Sequence, residues 1–140
     1  MVANLDNMTN AFNIYNETYF GGILPCPLFA VLHSYRICGC FTWSDMTWEG
    51  EPVCPTIKVT DYYDLEEEDF RNIMCHEMLH YYLMHLHIDM KGTHGKWFKK
   101  KAAQLNEKYG LNITVRTYVS DLKRRKGAPI LGYWLRHLYF

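Results

Sequence analysis

The sequence has 140 residues, of which 49% are hydrophobic and 16% aromatic, and its formal net charge is zero. This composition excludes extensive disorder, and a chain of this length buries roughly two-thirds of its unfolded surface in one domain. No apolar run reaches the roughly 18 residues that span a bilayer, and the first residues lack the features of a signal peptide.

We predict one domain over residues 1–140, with its core at about residues 5–118 and a basic and aromatic C-terminal segment at residues 119–140. The five cysteines are an odd number, which favours reduced thiols over a disulfide framework. The chain is therefore predicted to be cytoplasmic, with no membrane partner.

The first predicted element is an amphipathic helix. Apolar side chains recur at steps of three and four from Leu5 to Tyr19, and Gly21 and Gly22 follow. This spacing is typical of a helix with one buried face, and the glycines end it.

Short β-prone stretches follow the first helix. Residues 29–35 and 40–43 suit a hairpin or meander, residues 44–55 read as a loop, and residues 55–60 read as a strand. Ile57 and Val59 would share one face of that strand. We expect an edge strand at residues 57–60, available to pair with an extended peptide.

Two helices are predicted in the second half of the chain. The first covers about residues 65–86, with Asp64 and Glu67 placed for a capping box. The second begins near Gly95, buries the periodic residues from Phe98 to Tyr109, and ends at Gly110. Residues 112–118 are compatible with a last strand.

The most informative motif lies inside the longer of these helices, where residues 76–80 read His-Glu-Met-Leu-His. Residues four apart share a helix face, so the imidazoles of His76 and His80 can bind one tetrahedral zinc ion. Glu77 lies beside that face, where a carboxylate can take a proton from water that attacks a carbonyl. This pattern is typical of zinc-dependent peptidases, with Glu77 as general base.

A catalytic zinc ion usually has three protein ligands, so a further ligand is required. His94 is the preferred candidate, because residues 91–93 form a flexible return and the 13 intervening residues suffice to close the turn. Glu107 is the alternative, in a gluzincin-type arrangement. We predict that His85 and His87 are exposed or capping residues.

Several segments occur together in a fixed order: Tyr15-Asn16 through Phe20-Gly21-Gly22-Ile23-Leu24-Pro25, a strand containing Ile57, residues 74–80, and His94-Gly95-Lys96-Trp97-Phe98. Over about residues 10–110 this set resembles the SprT-like family, the bacterial relatives of the Spartan proteases that act on proteins crosslinked to DNA. The ordered set is far more specific than the five-residue motif alone.

The resemblance implies an α+β, zincin-like domain of minimal gluzincin type, with a small, mostly antiparallel sheet packed on the motif helix and flanking helices. It also implies one Zn²⁺ ion bound by His76, His80 and His94, with Glu77 as the base. The implied activity is proteolysis of DNA-associated proteins.

Charge is distributed unevenly: residues 1–90 contain 3 Lys and Arg against 13 Asp and Glu, and residues 91–140 contain 12 against 2. Such asymmetry indicates an electrostatic partner, although a solvated face or internal docking would also explain it. The alternative function is a nucleic-acid-binding module with a structural zinc and no significant proteolysis. The candidate DNA contacts are Lys96, Lys99, Lys100, Lys101, Lys123, Arg124, Arg125 and Lys126.

Overall fold

The computed structural model describes residues 1–116, 119 and 122–129, which form an α+β structure with three helices and small, mostly antiparallel sheets. None of the helices in this part of the chain is long and apolar enough to cross a membrane. The elements are α1 (Leu5–Tyr19), β1 (Leu28–Leu32), β2 (Gly39–Thr42), β3 (Asp45–Met46), β4 (Pro52–Val53), β5 (Thr56–Thr60), β6 (Tyr63–Asp64), α2 (Glu67–His85), α3 (Lys96–Tyr109) and β7 (Lys123–Arg124).

The main sheet has three strands in the order β1-β5-β2. β1 runs parallel to β5, whereas β2 runs antiparallel to it. The predicted hairpin or meander of residues 29–35 and 40–43 is therefore wrong, because both strands pair with β5 and not with each other. The prediction of an edge strand at residues 57–60 is also wrong, because β5 is the central strand.

One face of the sheet packs on α2, which also contacts α1 and α3. Ile57 and Val59 are fully buried, which confirms that they share the inward face of β5. The buried side of α2 carries long apolar side chains, among them Met74, Met78 and Leu79. α2 is therefore packed against the sheet, α1 and α3.

Two pairs of short strands lie outside the main sheet. β3 pairs with β4 within the segment predicted as a loop, and β6 pairs with β7 in the basic C-terminal run. No strand is present at residues 112–116 within the described part of the chain, and the rest of that predicted strand, residues 117–118, lies outside it. Most of the segment after residue 119 also lies outside the described residues.

The helix ends differ partly from expectation. The capping box belongs to α1, where Asn4 and Asn7 exchange side-chain and backbone hydrogen bonds. The predicted box at Asp64 is wrong: Asp64 lies in β6 and accepts a hydrogen bond from the amino group of Met1, and α2 begins after Glu66 without a side-chain cap. α3 ends as predicted at Gly110, which has the left-handed φ of 69°.

The glycine turn after α1 is organised by Asn16. This buried amide donates to the carbonyl oxygen of Leu24 over 3.0 Å and accepts from the Leu24 N–H over 3.2 Å. The backbone carbonyl of Asn16 also accepts from Gly22, whose φ is +69°. Asn16 and Gly22 of the segment that resembles the family therefore fix the path of the chain from α1 to β1.

Candidate metal centre

α2 places His76 and His80 on one face, one turn apart, with ring centroids separated by 5.1 Å. The chain returns after α2 and brings His94 against both of them. The Nε2 atom of His94 lies 3.1 Å from Nε2 of His76 and 3.0 Å from Nε2 of His80. Three ring nitrogens thus converge on one point.

The loop that carries His94 is organised by Asp89. Its carboxylate accepts hydrogen bonds from the backbone N–H groups of Lys91 and Thr93, both at 2.9 Å, and from the Thr93 hydroxyl at 2.7 Å. Gly92, at the turn, has a φ of +67°, which a residue without a side chain adopts readily. Asp89 therefore joins the two parts of the loop that precedes His94.

Phe98, in the first turn of α3, packs against all three imidazoles. Its ring is almost completely buried, and its centroid lies 4.9, 4.7 and 5.0 Å from those of His76, His80 and His94. The Phe98 position of the His-Gly-x-x-Phe segment is thus explained by packing, because a large rigid ring restricts the orientations of its neighbours.

The orientation of His76 is fixed by a backbone group. Its Nδ1 atom lies 2.7 Å from the carbonyl oxygen of Thr114, and since a carbonyl only accepts, Nδ1 carries the proton and the lone pair is on Nε2. The segment that carries Thr114 is held by Asn106, whose amide bonds both the N–H and the carbonyl of Ile113, and by Asn72, which accepts from Asn112 N–H.

Desolvation favours the neutral form of these imidazoles. Desolvation lowers the pKa of His76 to about 4, against the opposing hydrogen bond to Thr114, and lowers the pKa of His80 to about 3. Desolvation also lowers the pKa of His94. Metal ligands must be deprotonated, so the three side chains are in the binding form at neutral pH.

The donor set fits a divalent transition metal. His76, His80 and His94 could hold a metal ion, because one ligand nitrogen from each lies within 4.8 Å of the others. In a tetrahedral zinc site with bonds of about 2.0–2.1 Å, the donors are about 3.3 Å apart, close to the 3.0 and 3.1 Å found here. The spacing of the three nitrogens is therefore compatible with one metal ion bound by all three.

Glu77 lies beside the three histidines and is 6% exposed. Its Oε2 atom is 4.0 Å from Nε2 of His76, and burial raises the pKa of its carboxyl to about 8. Gly39 of β2 covers it closely, since a Cβ atom at that position would lie 3.0 Å from Oε2. A carboxyl group with a pKa near neutrality, at a cluster of neutral imidazoles, is suited to proton transfer.

Two cavities open on either side of this group. The first has a volume of about 220 Å³ and lies beside the residues that precede and begin β2 and beside residues 115–116. We call it the arginine pocket. Its lining consists of Arg36, Cys38, Gly39, Ile73, His76, Glu77, His94, Val115 and Arg116. The second has a volume of about 280 Å³ and lies along β2 and the residue that follows it. We call it the aromatic pocket. Its lining consists of Gly39, Cys40, Phe41, Trp43, His76, Glu77, His80, Lys91, Gly92 and His94. Gly39, His76, Glu77 and His94 line both cavities, which we together call the cleft.

His85 and His87, the two histidines that follow His80, are not part of this histidine group. His85 and His87 both approach the carboxylate of Glu51, at 3.4 Å each. Glu107, the alternative third ligand, is exposed on α3 and is absent from the histidine group. The sequence thus brings His94, and not Glu107, to His76 and His80.

The candidate DNA contacts are divided between two places. Lys96 and Lys100 of α3 lie over the ring of Trp97, at 5.2 and 5.5 Å from its centroid. In the C-terminal run, Lys123 and Arg124 form β7, and Arg124 donates to the carbonyl of Ala128. The run is therefore not a simple solvated stretch of charge.

Sequence reasoning missed the groups that support the site. A backbone carbonyl such as that of Thr114 has no side-chain signature, so no pattern could have identified it. Asp89 did have a recognisable signature in the sequence, because Asp followed by a Gly-containing turn is typical of side-chain to backbone hydrogen bonding. Arg36 and Arg116 are recognisable only once the fold brings them to the cleft.

Comparison with known proteins identifies a family for this chain. A family model described as the SprT-like family matches residues 8–117, a range that contains the three histidines and Glu77. The comparison with curated proteins found no match.

Proposed function

Since the chain belongs to the SprT-like family, we propose that it is a zinc-dependent endopeptidase with a zincin-like fold of minimal gluzincin type. His76, His80 and His94 are the proposed zinc ligands, and Glu77 is the proposed general base. The observation that carries the proposal is the convergence of three neutral imidazoles beside a buried carboxyl group in an open cleft.

A bound zinc ion supplies Lewis acidity at this point, polarising a carbonyl and making water a nucleophile near neutral pH. The chain supplies the proton transfers and the orientation. Glu77 takes a proton from the attacking water and delivers it to the amine that leaves. Phe98 and the Thr114 carbonyl hold the imidazoles in place, so little reorganisation accompanies the reaction.

The substrate backbone is proposed to pair with β2. In the described part of the chain this strand has a partner on one side only. The Thr60 N–H donates to the Cys38 carbonyl, so Cys38, Cys40 and Thr42 face β5 in the ladder. In an antiparallel pair the alternate residues, here Gly39 and Phe41, direct their N–H and C=O groups to the free edge. β2 thereby replaces β5 as the expected substrate strand.

We further propose that the substrates include proteins bound to DNA, as the resemblance to Spartan proteases implies. Support comes from the cations on α3, of which Lys96, Lys99 and Lys100 are exposed. Contacts to Z phosphates would make log K fall with log salt at a slope of about −0.9Z on duplex DNA. A binding curve that does not respond to salt would remove DNA from the proposal.

The test combines metal content with peptide hydrolysis in wild type, His94→Ala, His85→Ala and Glu77→Gln. We expect about one zinc ion per wild-type and His85→Ala chain, weaker retention in His94→Ala, and hydrolysis absent from zinc-loaded Glu77→Gln. Circular dichroism checks that each variant is folded. Zinc without any Glu77-dependent hydrolysis, with and without DNA, would favour the rival function of a nucleic-acid-binding module.

A further inference from the structure

The arginine pocket has a chemical character of its own. Arg36 and Arg116 approach it from different parts of the chain, one before β2 and the other after α3. The apolar residues Ile73 and Val115 also line this pocket. Two guanidinium groups beside an apolar wall favour a ligand with a short apolar stem and a planar anionic end.

The residues that line the cleft include more basic than acidic side chains. Among the described residues that line its two pockets, Glu77 is the only carboxylic acid, whereas Arg36, Arg116 and Lys91 are cationic. Lys91 lies in the aromatic pocket, on the other side of the histidines. The two arginines therefore concentrate positive charge at one end of the cleft.

The direction of β2 relates this end to the substrate. The arginine pocket adjoins the start of the strand, at Cys38 and Gly39, and the aromatic pocket adjoins its continuation to Trp43. A peptide antiparallel to β2 runs from the aromatic pocket toward the arginine pocket. The residue that follows the scissile bond is then the one that enters the arginine pocket.

We propose that Arg36 and Arg116 form a specificity subsite that selects Asp or Glu immediately after the scissile bond. This inference rests on the proposed peptidase function and on the pairing of substrate with β2. The carboxylate of that residue accepts charge-assisted hydrogen bonds from the guanidinium groups, while its methylene groups contact Ile73 and Val115. Peptides with Lys or Arg at the same position are rejected by like charge.

Binding is measured first, on the Glu77→Gln variant loaded with zinc, so that the peptides remain intact. Two fluorescein-labelled peptides differ only in having Glu or Gln after the scissile bond. We expect the Glu peptide to bind about tenfold more tightly by fluorescence anisotropy. Adding Arg36→Gln and Arg116→Gln together should abolish the difference, whereas the matched change Lys91→Gln should preserve it.

Hydrolysis of the same two peptides is then compared in proteins with Glu77 intact. We expect kcat/KM to favour the Glu peptide about tenfold in wild type, and Arg116→Glu to favour a Lys peptide instead. Equal hydrolysis of both peptides by wild type, or equal loss for both in the arginine variants, would overturn the subsite. Circular dichroism and zinc content establish that the arginine variants are folded.

The two proposals fail in different ways. If no peptide is hydrolysed but the arginine-dependent binding preference is present, the peptidase function fails and the anion-selective pocket stands. If peptides are hydrolysed without any preference for Asp or Glu, the peptidase function stands and the subsite is wrong.

Discussion

The Nδ1 atom of His76 donates a hydrogen bond of 2.7 Å to the carbonyl oxygen of Thr114, 38 residues further along the chain. This contact directs the Nε2 lone pair of His76 toward His80 and His94. A proposed zinc ligand on α2 is thus oriented by a segment that follows α3. Substitutions in that segment should therefore change zinc affinity although they alter none of the proposed ligands.

Asn106→Ala should weaken zinc binding. The substitution removes the two hydrogen bonds, of 2.8 and 3.0 Å, that hold the Ile113 backbone, so the Thr114 carbonyl loses its fixed position. We expect zinc affinity to fall by about tenfold, measured by competition with a chromophoric chelator. Gln104→Ala, at an exposed site two residues earlier on α3, is the control. Unchanged affinity in a folded Asn106→Ala protein would show that the Thr114 segment is held by other contacts.

Asp89→Ala should also reduce zinc affinity, by a different route. Partial burial would raise the pKa of the Asp89 carboxyl, but hydrogen bonds from Thr93, Lys91 and Gly92 lower it overall. Without the carboxylate the loop gains freedom, so the position of His94 relative to His76 and His80 is less well fixed. A loss of about tenfold, roughly 1.4 kcal/mol, is expected by the same competition measurement.

Lys91→Ala is the control for that experiment, because it keeps the backbone N–H that donates a hydrogen bond to Asp89. Its zinc affinity should equal that of wild type. If Asp89→Ala and wild type also bind zinc equally well, His94 is positioned by α3 alone and the loop is dispensable.

Glu77→Gln should stabilise the metal-free protein at neutral pH. The folded pKa of about 8 exceeds the value near 4.5 in the unfolded chain, so the stability conferred by the protonated carboxyl is fully present below pH 4.5 and is lost as pH rises toward 8. The variant should match wild type at pH 4.5 and exceed it by on the order of 2–3 kcal/mol at pH 7.

Urea unfolding in the presence of a chelator measures this difference at each pH. Glu107→Gln, on the exposed side of α3, should show no comparable gain. A pH-independent difference between Glu77→Gln and wild type would mean that packing, and not the burial of a charge, determines the effect.

Gly39→Ala should impair hydrolysis while leaving zinc bound. The added Cβ would lie 3.0 Å from Oε2 of Glu77, 3.1 Å from Cγ2 of Ile73 and 3.1 Å from the Lys58 carbonyl oxygen, so Glu77 must move. We expect kcat to fall by at least about tenfold, with a stability loss of about 1–3 kcal/mol. Cys40→Ala, on the next residue of β2, adds no atoms and should retain kcat. Wild-type kcat in Gly39→Ala would show that Glu77 tolerates displacement.

The helices could be predicted because their signals are local. The 3.6-residue periodicity identified α1 and α3, and Gly110 marked the end of α3. The same argument placed His76 and His80 on one face of α2. The spacing of His94 made its return feasible, but the path depends on Asp89 and Gly92, whose geometry emerges only in the folded loop.

The sheet could not be predicted from local signals. Residues 28–32 and 39–42 have the composition of neighbouring strands, yet β5 separates them. Strand order depends on which faces can be buried against α1 and α2 together, and that is a property of the assembled core. The capping box was misplaced for a related reason, because Asp64 is used by β6 and Met1.

The central position of β5 has a consequence for the order in which the chain can fold. β1 and β2 both precede β5 and have no strand of the main sheet to pair with until residues 56–60 are available. Leu28 pairs with Thr56 in a parallel register, a non-local contact whose loop-closure entropy must be met before any ladder forms. During synthesis, a nascent chain that ends before β5 therefore cannot build the edge on which β2 presents Gly39 and Phe41.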